Sequence, residues 1–395
     1  MKKSKNNKIK KPNPFIYYLA FLIIAPFFKF KLKTTYDLSG IKDIKGPAIL
    51  MCSHVSNIDF FLVALALFPK RPTFVVSRHF MVNPKTRWIL EKMHVIPKKM
   101  FCPDIKTILS IMRAKESGNI LVLFPEGRLT CFGHSVQITD GTAELVKKLG
   151  VNVYYLSEDG AYKTLPKWGK AGLRPGRIHV RTLKLFDADH SRSMPLEEIQ
   201  ARLEEAILHD EDALFTDVRY KTKSPALGLD GILYKCPECG AEFTMNTDDN
   251  SIFCSGCGFR AELDEKYRIT GGPFSTINQW YFWQEEQLNL DVPLSSSTVL
   301  ATVGPDGNMD KHAGEGIITM DRETIHYEGT CFGEPLEFTE KTGDIKGFPA
   351  SVADHFDIYS KKVLYNMHLT PDPRMAIKWV SYLDKLTREN SVKFL

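Results

Sequence analysis

The chain has 395 residues, enough for two or three domains, and its ordinary apolar and charged fractions exclude a disordered or fibrous protein. Residues 1–33 contain nine lysines and no acidic residue, so the remaining chain holds 43 basic and 47 acidic residues. The positive excess is therefore confined to one terminal arm, where each lysine near an anionic surface contributes about 1 kcal/mol. The mildly acidic body argues against folded domains that bind nucleic acid.

An apolar run at residues 15–28 lies between the lysines of this arm. As a helix it would extend about 21 Å, less than the ~30 Å hydrocarbon core of a bilayer, and Pro26 would kink or end it. We therefore expect residues 1–33 to form an interfacial or re-entrant membrane segment on the cytoplasmic side of the cell membrane. A short tilted span, a secretory signal peptide and a buried core helix are the alternatives.

Predicted strands and helices alternate from residue 34 to about 215, within a domain predicted over residues 34–225. Apolar runs typical of strands covered on both faces occupy residues 48–52, 73–76 and 120–124, and further strands are predicted at 151–156 and 177–181. Helices are predicted over residues 59–68, 83–93, 104–117, 139–149 and 195–208, and the first four begin at an Asp, Asn or Thr able to cap free amide groups. This alternation predicts an α/β domain with a mostly parallel sheet flanked by helices.

The first candidate functional element follows the strand at residues 48–52. His54 stands just beyond its carboxyl end, the edge at which open α/β sheets bind ligands, and Asp59 opens the next helix. A histidine beside a carboxylate is a base with a fixed tautomer and a stabilised charged form. Alone, the pair also fits a capping aspartate near an ordinary histidine.

The second candidate element, Leu-Phe-Pro-Glu-Gly-Arg at residues 123–128, ends another apolar strand. Gly127 permits close approach of a ligand to the backbone, and Arg128 offers a fork of N–H donors suited to phosphate. Glu126 can orient neighbouring groups or contact a hydroxyl. Alone, this element also fits a strand-to-helix turn with a solvated glutamate and arginine.

A separate module is predicted at residues 226–270, where cysteines are paired by spacing in the segments Cys236-Pro-Glu-Cys239-Gly and Cys254-Ser-Gly-Cys257-Gly. The glycine after each pair suits a turn that needs a left-handed residue, and four thiolates form the closed ligand shell of structural Zn²⁺. We predict a zinc ribbon, with an iron site and paired disulfides as alternatives. Residues 232–268 carry four basic and seven acidic side chains, which argues against nucleic-acid binding.

The other cysteines are scattered, and without a credible secretion signal we expect a reducing compartment. Residues 271–395 are predicted to form a strand-rich domain of unknown role that ends in a helix at 372–386. Aromatic residues at 280–283 fit a core helix, which we favour, or a membrane-interface belt. Four histidines of this domain are not spaced as a metal site and are interpreted as ordinary: His312, His326, His355 and His368.

Together, the elements at His54 and at 123–128 resemble the glycerolipid acyltransferase family, best known from 1-acyl-glycerol-3-phosphate acyltransferases. The first motif of the family is a His, four spacers and an Asp, which His54 and Asp59 match. A later motif, Phe-Pro-Glu-Gly followed by Thr, Ser or Arg, is matched at residues 124–128. The resemblance covers roughly residues 36–185.

The chain departs from the family pattern in two blocks. The family places an arginine for the acceptor phosphate where this chain has Lys98, followed by Lys99. Lysine keeps the charge but loses the two-pronged donor fork. The strand at residues 151–156 lacks the prolines usual in the fourth block, which leaves acyl-chain or acceptor selectivity open.

The resemblance implies an O-acyltransferase that moves a fatty acyl group from acyl-coenzyme A or acyl carrier protein to the hydroxyl of lysophosphatidate in phospholipid synthesis. His54 is implied as the general base and Asp59 as the residue that holds it. The implied substrate-binding residues are Glu126, Gly127, Arg128 and Lys98. Another lysolipid or glycerol 3-phosphate as acceptor, and a catalytically dead zinc-ribbon scaffold, are the alternatives. Expected partners are anionic membrane lipids and, as a donor, acyl carrier protein, but not nucleic acid.

Overall fold

The computed structural model describes residues 8–101, 104–139, 141–304 and 308–392. The chain divides into two compact units, the first with Met1–Leu165 and Pro175–Phe215, the second with Pro166–Arg174 and Thr216–Leu395. Three lysines of the basic arm and one cysteine lie outside the described residues: Lys2, Lys3, Lys5 and Cys102.

A single sheet organises the described part of the first unit. Its strands are β1 Thr34–Asp37, β2 Ala48–Cys52, β3 Thr73–Ser77, β4 Ile96–Lys98, β5 Ile120–Leu123, β6 Asn152–Asp159 and β7 Ile178–Phe186, in the order β1-β7-β6-β2-β5-β3-β4. The strands β2 to β6 are mutually parallel, whereas β7 runs antiparallel to β6 and pairs in parallel with β1. The predicted mostly parallel sheet is therefore present, and the strands β1 and β4 were not predicted.

Helices surround this sheet. They are α1 Pro14–Pro26, α2 Asp59–Leu67, α3 Pro84–Lys92, α4 Ile105–Glu116, α5 Thr142–Leu149, α6 Ala161–Thr164, α7 Ala188–Ser193 and α8 Leu196–Ile207. Predicted caps are confirmed at α3 and α4, where Asn83 accepts from the backbone N–H of Lys85 and Asp104 from that of Thr107.

One predicted cap, at Asp59, and one predicted helix start, at Thr139, were wrong. Asp59 is the first residue of α2, but its carboxylate accepts from N–H groups that precede the helix rather than from those within it. The helix predicted from residue 139 begins at Thr142, after Gly141, whose φ of 80° is left-handed. In both cases the side chain that suggested a cap is engaged by the loop before the helix.

The α-helix of the apolar N-terminal segment ends at Pro26, where a kink or an end was predicted, but helical backbone continues beyond it. A π-helical turn, Phe27–Lys31, continues α1, with the N–H of Leu32 bonded to the carbonyl of Phe27. Within the described chain, Pro14–Lys31 is long and apolar enough to cross a membrane, which by itself is weak evidence for a span.

The core of the first unit explains why the central strands are wholly apolar. Ile49, Leu121 and Val153 from three adjacent strands are buried together with Val146 of α5 and Leu203 of α8. Each such side chain contributes roughly 1.5–3 kcal/mol when fully buried. The burial fixes the parallel strands, so their carboxyl ends lie at one edge of the sheet.

The second unit contains two antiparallel sheets. The first has β8 Met245–Thr247, β9 Ser251–Cys254, β10 Arg260–Leu263 and β11 Ile269–Thr270. The second has β12 Leu294–Val303, β13 Met309–Met320, β14 Thr324–Cys331, β15 Glu334–Lys341, β16 Ala350–Ser351, β17 His355–Ser360 and β18 Val363–Thr370, in the order β15-β14-β13-β12-β18-β17-β16. The helices are α9 Ile277–Glu286 and α10 Met375–Val392.

The cysteine module packs against both helices of this unit. Trp280 on α9 donates to the carbonyl of Lys235, and Gln284 accepts from the N–H of Tyr234. Arg374, just before α10, donates to the carbonyl of Phe243. Trp280 is fully buried, so the favoured interpretation of the aromatic run as a core helix is confirmed.

Candidate active site

The loop after β2 brings His54 and Asp59 together. The Nδ1 atom of His54 lies 3.0 Å from Oδ2 of Asp59, which also accepts from the backbone N–H groups of Val55 and Ser56 at 2.8 and 2.9 Å. Asp59 is 1% exposed, whereas the His54 side chain is 29% exposed. A carboxylate only accepts hydrogen bonds, so Nδ1 carries the proton and Nε2 is left as the basic nitrogen.

Burial governs the electrostatics of Asp59. It raises the pKa of this carboxyl above its ordinary value, while the hydrogen bonds from His54, Ser56 and Val55 act in the opposite direction. In a buried site the attraction between a carboxylate and an imidazolium is stronger than in water. The buried carboxylate holds the imidazole of His54 in one orientation.

Glu126 connects the second motif to the first. Its Oε1 atom accepts from the backbone N–H of His54 at 3.0 Å, and its Oε2 atom accepts from that of Val136 at 2.9 Å. The residue is 1% exposed, and burial raises its pKa to about 7. The described contacts of Glu126 hold the loop that carries His54, and its substrate-binding role stays a prediction.

The turn after Glu126 requires glycine. Gly127 has a φ of 73°, and a Cβ atom there would lie 2.8 Å from Thr139 and 3.2 Å from the ring of Phe101. Arg128 follows at once and is half-buried. The N–H of Thr130 donates to the carbonyl of His54 at 3.0 Å, so the loop carrying Arg128 is bonded to the histidine loop at a second point.

Lys98 ends β4 at the same edge of the sheet. The strand β4 pairs with β3, with Ser77 opposite Lys98, and β3 in turn lies between β4 and β5. The lysine is half-buried. Its placement at the carboxyl edge is compatible with the predicted role, and its contact with an acceptor phosphate stays a prediction.

A third buried carboxylate, that of Glu158, lies near the His54–Asp59 pair and was missed by sequence reasoning. The hydroxyl of Ser53 donates to Glu158, which is fully buried at the end of β6. Burial raises the pKa of Glu158 well above its ordinary value, and the nearby charge of Asp59 raises it further. The available signal was the polar Ser-Glu-Asp at residues 157–159, directly after the strand predicted at 151–156.

His209 and Glu211 form another buried polar cluster, and the backbone of His209 is hydrogen-bonded to Ser135 in the loop after Glu126. The Nε2 atom of His209 lies 3.1 Å from Glu211, which also accepts from the N–H of Gly160 at 2.8 Å. Burial alone lowers the pKa of His209, but its hydrogen bond to Glu211 and the nearby carboxylates give a net increase. No spacing rule connects these residues to His54 in the sequence.

The second unit brings its four spaced cysteines together. All four sulfur atoms lie within 4.8 Å of one another, in the set Cys236, Cys239, Cys254 and Cys257. The Cys236–Cys257 and Cys239–Cys254 sulfurs are 3.7 and 3.9 Å apart. Two thiolates bound to one tetrahedral zinc at 2.3 Å would be about 3.8 Å apart. The donor set therefore fits zinc in both chemistry and spacing.

The two turns that carry these sulfurs have equivalent backbone geometry. Gly240 and Gly258 have φ values of 71° and 80°. Their N–H groups donate to the carbonyls of Cys236 and Cys254, both at 3.0 Å. The repeated turn presents two sulfurs from each side, as the predicted zinc knuckles require.

Comparisons with known proteins find relatives of the segment that carries His54 and Glu126. Residues 32–156 match the family model described as Acyltransferase. Among curated proteins, the chain is 24% identical over 163 residues to the chloroplastic 1-acyl-sn-glycerol-3-phosphate acyltransferase LPAT1 of Arabidopsis thaliana, with 41% of this chain and 44% of the relative covered. It is 25% identical over 167 residues to the corresponding chloroplastic enzyme BAT2 of Brassica napus, with 41% and 46% covered.

The matches cover less than half of either curated relative. A solved structure, the 1-acyl-sn-glycerophosphate acyltransferase PlsC from Thermotoga maritima, matches with a TM-score of 0.38 and 16% identity. It covers 49% of this chain and 93% of that chain. The family model and the curated relatives support an O-acyltransferase, and the residues that match the family model, 32–156, contain His54, Asp59 and the motif at 124–128.

Proposed function

We propose that the protein transfers a fatty acyl group from an acyl thioester to the hydroxyl of lysophosphatidate, giving phosphatidate. The observation that carries this proposal is the His54–Asp59 pair, hydrogen-bonded through the backbone of His54 to Glu126 of the second motif. The curated relatives are named for acylation of 1-acyl-sn-glycerol 3-phosphate, which supports this acceptor. Acyl-coenzyme A and acyl carrier protein both carry the required thioester.

The proposed chemistry uses one base and no covalent enzyme intermediate. The Nε2 atom of His54 takes the proton of the acceptor hydroxyl as that oxygen attacks the thioester carbonyl. Asp59 stabilises the imidazolium through Nδ1. The tetrahedral intermediate then collapses, the carbon–sulfur bond breaks, and the imidazolium returns the proton to the departing thiolate. The net result is one new ester and one free thiol.

The acceptor phosphate is assigned to Arg128, with Lys98 as a second cation. Arg128 follows the tight Gly127 turn, which lets a ligand approach the backbone. A guanidinium binds two phosphate oxygens at once, whereas the ammonium of Lys98 acts as a point charge. These different donor geometries predict that Arg128 fixes the orientation of the acceptor phosphate and that Lys98 adds electrostatic attraction to it.

The lipid substrates are proposed to be reached from the cytoplasmic surface of a membrane. The helix α1 exposes large apolar side chains, with Phe15, Leu22 and Ile23 being 74, 69 and 68% exposed. Lys29 and Lys31 lie in the π turn that follows α1 and suit anionic headgroups. An apolar face flanked by lysines would hold the enzyme at the interface.

The four-cysteine cluster is proposed to bind one structural Zn²⁺. Four thiolates fill a tetrahedral shell, so no position remains for a substrate or a reactive water. Zinc there would stabilise a module too small to build a large core of its own. We assign it no catalytic step.

The proposal is tested by acyl transfer with the purified full chain in lipid micelles. Lysophosphatidate is supplied with labelled acyl-coenzyme A and, separately, with labelled acyl carrier protein. His54→Ala should lower turnover by about 10²–10⁴-fold, since that is the usual contribution of a general base. His190→Ala is the matched control, because Nδ1 of His190 is also 3.0 Å from a carboxylate, that of Asp187, but the pair is exposed.

The outcomes separate the alternatives. Activity that His54→Ala abolishes and His190→Ala preserves would support the reaction and name the donor. Activity with another lysolipid or with glycerol 3-phosphate, but not with lysophosphatidate, would replace the acceptor. A folded, lipid-binding protein that is inactive with every acceptor and both donors would favour the scaffold alternative.

A further inference from the structure

Two histidines of the second unit, interpreted as ordinary from the sequence, face each other across adjacent strands. Phe356 of β17 pairs with Met367 of β18, so the antiparallel register sets His355 opposite His368. The two ring centroids are 4.8 Å apart. The two histidines are thirteen positions apart in the sequence. Sequence analysis missed their proximity because it arises from the β17–β18 hairpin rather than from a short local motif.

A carboxylate lies between the two rings. The Oδ2 atom of Asp354 is 2.9 Å from Nδ1 of His355, and its Oδ1 atom is 3.0 Å from Nδ1 of His368. Asp354 is placed in the turn between β16 and β17, one residue before the strand that carries His355. Each ring nitrogen therefore contacts a different oxygen of the same carboxylate, which brings donor atoms of three residues close together.

The spacing of these donors suits a metal ion. The three ligand atoms lie within 4.8 Å of one another. Nitrogen and oxygen donors bound at 2.0–2.1 Å in a tetrahedral shell are about 3.3 Å apart, so small side-chain adjustments would complete the geometry. A divalent ion would then take the place of the protons that the rings and Asp354 now share.

A second carboxylate supplies an independent indication. Asp357 lies two residues after His355 on the same face of β17, with Oδ1 3.4 Å from Nε2 of that ring. Asn366 of β18 donates to the same Asp357 oxygen. A carboxylate at the distal nitrogen is the usual support of a metal-binding histidine, because it fixes the tautomer that leaves the other nitrogen to bind.

We propose that Asp354, His355 and His368 form a binding site for a divalent first-row transition metal ion, with Zn²⁺ as the best fit. Imidazole and carboxylate donors suit such ions, and three protein ligands leave at least one position for water. The Asp354 side chain is 52% exposed and that of His368 is 29% exposed, so the ion can exchange with solvent. This site differs in chemistry from the four-thiolate cluster and is independent of the acyltransferase proposal.

Zinc binding by the full chain at fixed free Zn²⁺ tests the proposal. Equilibrium dialysis should give one more zinc per wild-type chain than per chain of the His355→Ala, His368→Ala double variant. The matched control is His326→Ala, because His326 lies on β14 of the same sheet and contacts the hydroxyl of Thr339 at 2.9 Å rather than a carboxylate. It should bind as much zinc as the wild type.

Two further variants guard against misfolding and test the role of Asp357. Asp354→Asn preserves the shape of the turn and should still lose the same zinc, with an unchanged circular dichroism spectrum. Asp357→Asn should weaken the affinity about 10–100-fold without abolishing binding, as expected for a supporting carboxylate. Equal zinc content in the wild type, the double variant and Asp354→Asn would overturn the proposal.

Discussion

The backbone N–H of His54 donates a 3.0 Å hydrogen bond to Oε1 of Glu126, so the two sequence motifs, 72 residues apart, share one buried contact. The other oxygen of Glu126 binds the N–H of Val136 in the following loop. The glutamate therefore connects three segments at the carboxyl ends of β2 and β5. Its described contacts fix the position of His54. General base catalysis requires this, because the base must lie within hydrogen-bond distance of the proton that it removes, whatever its pKa.

Asp59→Asn tests whether the aspartate acts through His54. We expect kcat to fall by about 10²–10⁴-fold with little change in KM, because the amide no longer stabilises the imidazolium that forms in the transition state. Steady-state kinetics with lysophosphatidate and the active thioester measure both constants. Thermal unfolding of the same variant shows whether the loss comes from misfolding.

The exposed pair Asp187 and His190 supplies the control for this variant. Its nitrogen and oxygen are also 3.0 Å apart, but the Asp187 side chain is 42% exposed. Asp187→Asn should leave both kinetic constants unchanged. A full-rate Asp59→Asn enzyme would remove the aspartate from the mechanism.

Glu126→Gln tests the raised pKa of this buried carboxyl. Between its ordinary value of 4.5 and its folded value of about 7, the folded chain keeps a proton that the unfolded chain has released. Stability from this group therefore falls as pH rises through that window and is constant above it. The total change is on the order of 3 kcal/mol.

Glutamine does not titrate, and its NH₂ group would face one of the two backbone donors that Glu126 accepts. We expect Glu126→Gln to cost about 1–3 kcal/mol for the lost hydrogen bond. The stability gap between wild type and variant should narrow as pH rises from 5 to 8. Urea unfolding across this range measures the gap, and two parallel stability curves would contradict the raised pKa.

Gly127→Ala should destabilise the first unit and lower turnover. The left-handed conformation costs a non-glycine residue roughly 1–2 kcal/mol, and the added Cβ atom meets Thr139 at 2.8 Å. Gly118→Ala is the control, because Gly118 has a φ of 71° with open space around the Cβ position. The loss of stability in Gly127→Ala beyond that in Gly118→Ala measures the effect of the steric contact alone. Equal losses in stability would contradict tight packing at the Gly127 turn.

Two parts of the candidate sites could be predicted because a local pattern encodes them. His54 and Asp59 are close in the chain and follow a strand whose apolar composition marks it as buried. The cysteine pairs are set by turns of four or five residues, so spacing alone indicates that their sulfurs converge. In each case the chemistry depends on contacts within a short segment.

Other parts depend on the assembled sheets and escaped prediction. Glu158 reaches Ser53 only because β6 lies beside β2, and His355 meets His368 only through the register of β17 and β18. The α-helix α1 ends at Pro26 as expected, but the π turn that follows it to Lys31 was not predicted. Local patterns in one sequence do not encode the order of strands in a sheet or such changes of helical register.

The apolar face of α1 is tested by Leu22→Glu combined with Ile23→Glu. Each side chain contributes roughly 1.5–3 kcal/mol when buried, so binding to anionic lipid vesicles should weaken at least about tenfold. Vesicle sedimentation at constant ionic strength measures the change. Phe332→Glu is the control, since Phe332 is a 46% exposed apolar side chain in the β14–β15 hairpin. Unchanged binding of the double variant would exclude this face as the membrane contact.

Cys254→Ser tests the structural metal. A serine hydroxyl is a far poorer zinc ligand than a thiolate, so the variant should hold one zinc fewer than the wild type. Arg374 bonds the cysteine module to the segment before α10, so we expect the second unit to unfold at a lower temperature. Cys331→Ser, a half-buried cysteine outside the cluster, should keep the wild-type zinc content and stability. Equal zinc content in both variants would contradict ligation by Cys254. Loss of zinc in Cys254→Ser, with the domain that carries His54 still folded, would assign the metal a structural role.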